Sequence, residues 1–259
     1  MGSEVAQTDL GFRTPAFTIP GSRDVGVLFI HGFTGSPASL APWAHAVAAA
    51  GYTVSVLLLP GHGDDWRKMN STTWRDWYDE VDRGVRRLKE EVHEIVIAGF
   101  SMGGALALRY AAIHPENVKA LLLLNPAVYD PRPSLKLTSV ARFFMKTLPP
   151  SGSDIAKPNP PIHGYRETPV NALHSLRKLW RDLAKHLKDV TAPTLLFRSV
   201  QDHVVPAASS ELVLKSITSK VRREVLLEKS YHVAALDYDA PFLESESIKF
   251  LREFAPVNL

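Results

Sequence analysis

The stretch Gly99-Phe100-Ser101-Met102-Gly103 constrains this chain more than any other, because of what lies on either side of it. Before it stands the apolar run Ile95-Val96-Ile97-Ala98, and after it an Ala/Leu-rich run from Gly103 to Ala112. The first reads as a buried strand and the second as a helix. A strand that turns at once into a helix crowds its own backbone, and glycine tolerates that crowding because it has no Cβ. Gly99 and Gly103 flank Ser101 at that turn, and Gly104 follows. A turn of this kind lifts the serine hydroxyl above the end of a sheet, where another molecule can reach it. The blander reading is a serine that caps a helix, and the strand in front of it favours the turn.

The rest of the chain repeats the alternation of short apolar runs and helical patterns that marks a mostly parallel sheet. Strands are expected at Val27–Ile30, Val54–Leu59, Ile95–Ala98, Leu121–Leu124, Thr194–Phe197 and Glu224–Leu227. Helices are expected at Ala41–Ala50, Trp74–Glu91, Gly103–Ala112, Ser209–Ile217 and Pro241–Phe254. In the second of these, Trp77, Val81, Val85 and Leu88 share one face. The alternation breaks between Ala127 and Val190, where prolines crowd Pro149–Pro161 between helical segments at Leu135–Leu148 and Val170–Leu187. The expected architecture is therefore α/β, a mostly parallel central sheet flanked by helices, with a helical cap inserted after the sixth core strand. Residues 1–126 and 191–259 form the core and 127–190 the cap, as one structural unit.

A serine hydroxyl is a weak nucleophile until a base takes its proton, and the base needs an acid to hold its tautomer. In parallel-sheet folds that carry their nucleophile on such a turn, the chain order is serine, acid, histidine. Of the ten histidines, His232 follows the last expected strand, in Ser230-Tyr231-His232-Val233. His203 adjoins the expected acid on the same loop, and His114, His174 and His186 fall on helices as surface residues. Asp202 follows the strand Thr194–Phe197 and is the leading acid, because sites of this kind assemble at the carboxyl ends of parallel strands. Asp130, after the preceding strand, is the alternative; Asp237 and Asp239 come after His232. Attack on a carbonyl makes an oxyanion, which two aimed backbone N–H groups stabilise. Those of Met102 and of Phe33, in His31-Gly32-Phe33-Thr34-Gly35, are the expected donors.

Composition removes other classes. The chain has 259 residues, 45% hydrophobic and 22% charged, so it has ample core for one α/β domain. Its net charge of +3 is not gathered into the stripe that nucleic-acid binding needs; the cluster Arg83–Lys89 fits the polar face of a helix. With no cysteine there is no disulfide and no thiol chemistry. His62, Asp64 and Asp65 read as a turn rather than a metal site, and no metal and no cofactor is expected. Met1–Leu10 carries Glu4 and Asp9 and no apolar core, and no run approaches the roughly eighteen residues of a membrane span, so the expected location is cytoplasmic.

With these residues assembled, the chain resembles the bacterial monoacylglycerol lipases and small bacterial carboxylesterases of the α/β-hydrolase superfamily. The matching stretches are Gly26–Pro37 (GVLFIHGFTGSP), Gly61–Gly63 (GHG), Gly99–Gly104 (GFSMGG), Gln201–Pro206 (QDHVVP) and Ser230–Pro241 (SYHVAALDYDAP). The resemblance implies the α/β-hydrolase fold, Ser101, Asp202 and His232 as triad, and the Phe33 and Met102 amides as oxyanion hole. It implies cofactor-free hydrolysis of monoacylglycerols or similar medium- and long-chain acyl esters. The family's glycerol-recognising glutamate falls at Ile162, which has no acceptor for a hydroxyl; Ser151, Asn159, His163 and Glu167 are candidate substitutes.

In the cap, Leu137, Val140, Ala141, Phe144 and Leu148 would share one helical face, with Lys136, Arg142 and Lys146 turned elsewhere. That face either packs on the core or, in part, lines an acyl tunnel and makes transient contact with lipid surfaces. The expected partner is a small acyl ester or monoglyceride. Other readings remain open: a general carboxylesterase or thioesterase on small acyl esters, carbon–carbon bond cleavage or perhydrolysis on the same triad, and a ligand-binding module that keeps the fold without catalysis.

Overall fold

The computed structural model describes residues 13–149, 154–160 and 164–257. Its core is a seven-stranded sheet in the order β1-β3-β2-β4-β5-β8-β9. The strands are β1 (Phe17–Ile19), β2 (Ser22–Ile30), β3 (Tyr52–Val56), β4 (Glu94–Phe100), β5 (Ala120–Leu124), β8 (Thr194–Ser199) and β9 (Arg222–Leu227). All neighbours run parallel except β1, which pairs antiparallel with β3 at the edge. Prolines at 15 and 20 bracket β1 and hide it from a reading of apolar runs. The strand before the insertion is the expected one, Leu121–Leu124, and is the fifth among the described residues.

Strand side chains alternate faces, and the core divides accordingly. Leu28 and Ile30 join the cluster under α3 (Trp74–Lys89) and α4 (Met102–Ile113). Val27 and Phe29 join the cluster under α1 (Ala41–Ala49) and α7 (Ala240–Phe254). Helix α3 buries Trp77, Val81, Val85 and Leu88, the face its spacing predicts, and a capping box between Thr73 and Asp76 starts it.

From β2 the chain steps outward to β3 on one side, and it later returns to place β4 on the other side of β2. The connections leaving the carboxyl ends of β2 and β4 thus diverge, α1 going to one face and α4 to the other. Adjacent connections that part in this way leave a crevice at the top of the sheet, where α/β proteins place their sites. Ile30 pairs with Gly99, so the loop after β2 and the turn after β4 start side by side.

Between β5 and β8 no described residue joins the central sheet. The segment holds α5 (Ser134–Ala141), a two-stranded antiparallel pair of β6 (Thr147–Leu148) with β7 (Thr168–Pro169), and α6 (Val170–Leu183). Helix α6 belongs to the core layer as well as to the insertion. Its Ala172, Leu176, Leu179 and Leu183 sit in the same cluster as α3 and α4, and the Ser175 hydroxyl accepts the Trp74 N–H at 2.8 Å. Asn70, in α2 (Trp66–Asn70), accepts the Asn171 N–H at 2.9 Å.

Three expectations in the insertion need correction. The helix expected at Leu135–Leu148 ends at Ala141, and it could not have reached Leu148, which precedes Pro149 and is held extended in pairing with Thr168. The face drawn on that longer helix does not pack on the core: Leu137, Val140 and Phe144 are exposed. His174, expected on the surface, is buried between α6 and α5, with Ser139 Oγ 3.4 Å from its Nδ1.

Candidate active site

The serine stands where the turn predicts. Ser101 follows β4 at φ 54°, ψ −117°, a left-handed conformation that costs a non-glycine residue energy and recurs at functional turns. Its backbone is held on both sides: its N–H donates to Leu124 O at 2.9 Å, and its carbonyl accepts from Gly104 and Ala127 at 3.0 Å each. A Cβ on Gly103 would lie 2.0 Å from the Ile30 carbonyl oxygen, so only glycine lets α4 begin this close to β2.

His232 reaches the serine from the loop after β9. Its Nε2 lies 3.0 Å from Ser101 Oγ and its Nδ1 2.7 Å from Asp202 Oδ2, and the ring rests against Phe100 at a centroid distance of 4.9 Å. Asp202 comes from the loop after β8. Its other oxygen, Oδ1, accepts the N–H groups of Val204 and Val205 at 2.8 Å each, which fixes the carboxylate's direction. All three side chains are nearly buried, so water competes little for these bonds. A ring with a carboxylate at one nitrogen and a hydroxyl at the other is arranged to take the hydroxyl's proton.

Asp130, the alternative acid, lies elsewhere in the hydrogen-bond network. Its carboxylate is forked onto Arg132, whose guanidinium also donates to Val204 O at 2.9 Å. His203 is also apart from the serine: its ring is largely exposed and its Nδ1 lies 2.8 Å from Asp154 Oδ1.

The loop after β2 passes directly against the serine, since a Cβ on Gly32 would lie 3.2 Å from Ser101 Cβ. Behind it His31 is fully buried and works as a strut. Its Nδ1 bonds to Gly32 O at 2.9 Å, and its Nε2 accepts the Leu59 N–H at 3.1 Å. Burial pushes its pKa down to about 4, so the ring stays neutral. Phe33 is anchored by edge contact with Trp77, with ring centroids 6.0 Å apart. Met102 is the first residue of α4, and its N–H has no partner within its own helix. His62, Asp64 and Asp65 are engaged locally: His62 Nδ1 with Pro60 O at 3.1 Å, Asp64 with Lys68, and Asp65 capping α2 through Arg67 N at 2.9 Å.

Ser101 opens into a cavity of about 300 Å³. Leu135, Leu148, Leu173, Leu176 and Trp180 of the insertion give it an apolar wall, and Gly32, Phe33 and His232 belong to its lining near the serine. Phe144 is outside this lining and 82% exposed. Asn159 and Glu167 are also outside it, and Ser151, Ile162 and His163 lie outside the described residues. The sequence reading missed Asn125, which is buried at the end of β5 in a left-handed conformation. Its side chain donates to His232 O at 2.8 Å and to Ser199 Oγ at 3.0 Å, bracing the histidine loop. An asparagine directly after an apolar strand was the available signal.

A protein-family model described as serine aminopeptidase, S33 (Hydrolase_4) matches residues 21–239. The chain is 38% identical over 231 residues to a thermostable monoacylglycerol lipase of Bacillus sp. (strain H-257), a match covering 89% of this chain and 92% of that one. It is 24% identical over 238 residues to a carboxylesterase of Bacillus subtilis (strain 168), covering 92% and 96%. A solved structure from work on the metagenome-derived lipolytic enzymes LipS and LipT superposes with a TM-score of 0.89 at 36% identity, covering 92% of this chain and 97% of that chain.

Proposed function

The chain belongs to the serine aminopeptidase S33 (Hydrolase_4) family and is a carboxylic-ester hydrolase; we propose that Ser101, His232 and Asp202 carry the reaction and that its substrates are monoacylglycerols or similar medium- and long-chain acyl esters. The observation that carries this reading is the bonded chain from Asp202 through His232 to a serine at the wall of an apolar cavity.

In this mechanism His232 Nε2 takes the Ser101 proton as Oγ attacks the ester carbonyl, and Asp202 stabilises the imidazolium that forms. The Phe33 and Met102 N–H groups donate hydrogen bonds to the negatively charged carbonyl oxygen. Removing one such donor costs roughly a hundredfold to a thousandfold in rate. The tetrahedral intermediate expels the alcohol, which takes its proton from His232, and leaves an acyl group on Ser101. Water then attacks the acyl-enzyme, giving its proton to His232, and the carboxylic acid departs as Ser101 recovers its proton.

The insertion acts as a cap over this site, and its Leu135, Leu148, Leu173 and Leu176 suit the acyl chain. Outside the cavity, Leu137, Val140, Phe143, Phe144 and Met145 make an exposed apolar surface, with the Arg142 guanidinium 4.5 Å from the Phe143 ring centroid and Lys146 exposed beside it. Apolar tips with adjacent cations suit transient contact with a lipid surface from which the ester is drawn. The substrate assignment is tested by initial rates on 1-monoacylglycerols against p-nitrophenyl esters of matched chain length. Preference for the glycerides supports it, and preference for the nitrophenyl esters at every length reduces the assignment to a general carboxylesterase.

A further inference from the structure

Asp154 lies in the insertion and is the only acidic residue between Asp130 and Glu167. Its carboxylate reaches out of the insertion to the backbones of two loops at once. One oxygen, Oδ2, accepts the N–H of His203, next in the chain to Asp202, and the N–H of His232, each at 3.1 Å. The other oxygen holds the His203 ring at 2.8 Å, and the Asp154 carbonyl accepts the Val233 N–H at 3.1 Å. The neighbouring residues strengthen the attachment. Ile155 is buried in the core cluster that contains Val233 and Ala234, and the buried Asp237 carboxylate accepts N–H groups from Ala156, Lys157 and Tyr231 at 2.7, 3.1 and 2.9 Å.

The geometry points to Asp154 as a positioning residue for ester hydrolysis, clamping the acid loop and the base loop at a fixed separation; this rests on the triad reading above. Two N–H groups that share one oxygen cannot part by more than the two bonds allow. These groups belong to His232 itself and to the neighbour of Asp202, so the clamp sets the span that the Asp202–His232 bond must cross. Asp154 is not among the residues lining the cavity, so it acts on the reaction through the loops it holds rather than by touching substrate. The insertion thereby shapes the triad from behind as well as roofing the cavity.

The test is kinetic, on p-nitrophenyl butyrate. Asp154→Ala removes the acceptor that links the two loops, and since a misplacement of about 1 Å costs on the order of a hundredfold, kcat is expected to fall roughly 10- to 100-fold with KM within about threefold of the parent. Asp154→Asn keeps an oxygen that accepts both backbone N–H groups, and should return kcat to within about fivefold of the parent. If the alanine variant does not fold, Asp154→Ser, too short to reach both groups, takes its place with the same expectation. An alanine or serine variant with kcat within about threefold of the parent overturns the inference. So does an asparagine variant as slow as either, or a loss confined to KM. Ser101→Ala in the same assay separates the two levels of argument. If it stays active, the triad reading falls and this inference with it; if it is inactive while Asp154→Ala keeps its kcat, only the clamp falls.

Discussion

His232 Nδ1 lies 2.7 Å from Asp202 Oδ2, while Asp130, one strand earlier, spends its carboxylate on Arg132. Asp202→Asn should therefore lower kcat by about 10³- to 10⁴-fold, because the amide no longer enforces the working tautomer of the histidine. Asp130→Asn should leave kcat within about tenfold, since it weakens an ion pair at the cavity wall and leaves the imidazole's partner in place. Steady-state kinetics on both variants decides it, and a larger loss for Asp130→Asn would reassign the acid.

His31 and His62 are both buried, their rings 4.9 Å apart, behind the loop that carries Phe33. Burial holds the His31 pKa at about 4, and burial together with the charge His31 would carry holds His62 well below its ordinary value. The unfolded chain takes up protons on these rings near pH 6.5, whereas in the folded chain His31 resists until about pH 4 and His62 is held well below its ordinary value. The contribution of these rings to folding stability is therefore complete above pH 6.5 and is lost as the pH drops toward 4, roughly 3 kcal/mol of it from His31. Urea unfolding at pH 7.0, 5.5 and 4.5 should show this decline. A flat profile would contradict it.

The Tyr165 hydroxyl donates to Gly61 O at 2.6 Å and ties the insertion to the loop after β3. Burial pushes its pKa up to about 12, so it remains a donor at any working pH. Tyr165→Phe should cost about 0.5–1.5 kcal/mol in chemical denaturation, the usual net worth of such a bond. No measurable loss would mean that water replaces the hydroxyl.

Leu148 and Phe144 were expected on one helical face, yet Leu148 lines the cavity and Phe144 points to solvent. Their charged variants should therefore fail differently. Leu148→Asp should depress turnover of long-chain esters whether dissolved or dispersed, by introducing a carboxylate where the chain lies. Phe144→Asp should lower the ratio of rates on vesicle-borne to dissolved esters. Equal ratios in the parent and Phe144→Asp would remove Phe144 from lipid contact.

The core was legible because its apolar runs and the glycines around Ser101 obey short-range rules. A strand read from Ile95–Ala98, a helix from Gly103, and the face Trp77, Val81, Val85, Leu88 all recur in the structure. The turn motif, chain order and position after a strand also marked out the three residues the fold gathers, with Asp130 as the alternative acid; they lie up to 131 positions apart. The insertion was harder. Its helix α5 stops at Ala141, and Thr147 and Leu148 are held extended by pairing with Thr168 and Pro169, a long-range effect that periodicity does not register. Asp154 and Asn125 escaped notice because they act on backbone groups of distant loops, and no spacing in the sequence records such a bond.

Intact-mass analysis after treatment with a serine-directed phosphonate tests directly whether Ser101 is the nucleophile. The parent enzyme should gain one phosphonyl group, mapped to the peptide containing Ser101, as ester turnover disappears. Ser101→Ala should gain none and show no turnover above background. Labelling at another residue, or ester hydrolysis that survives in Ser101→Ala, would contradict the account.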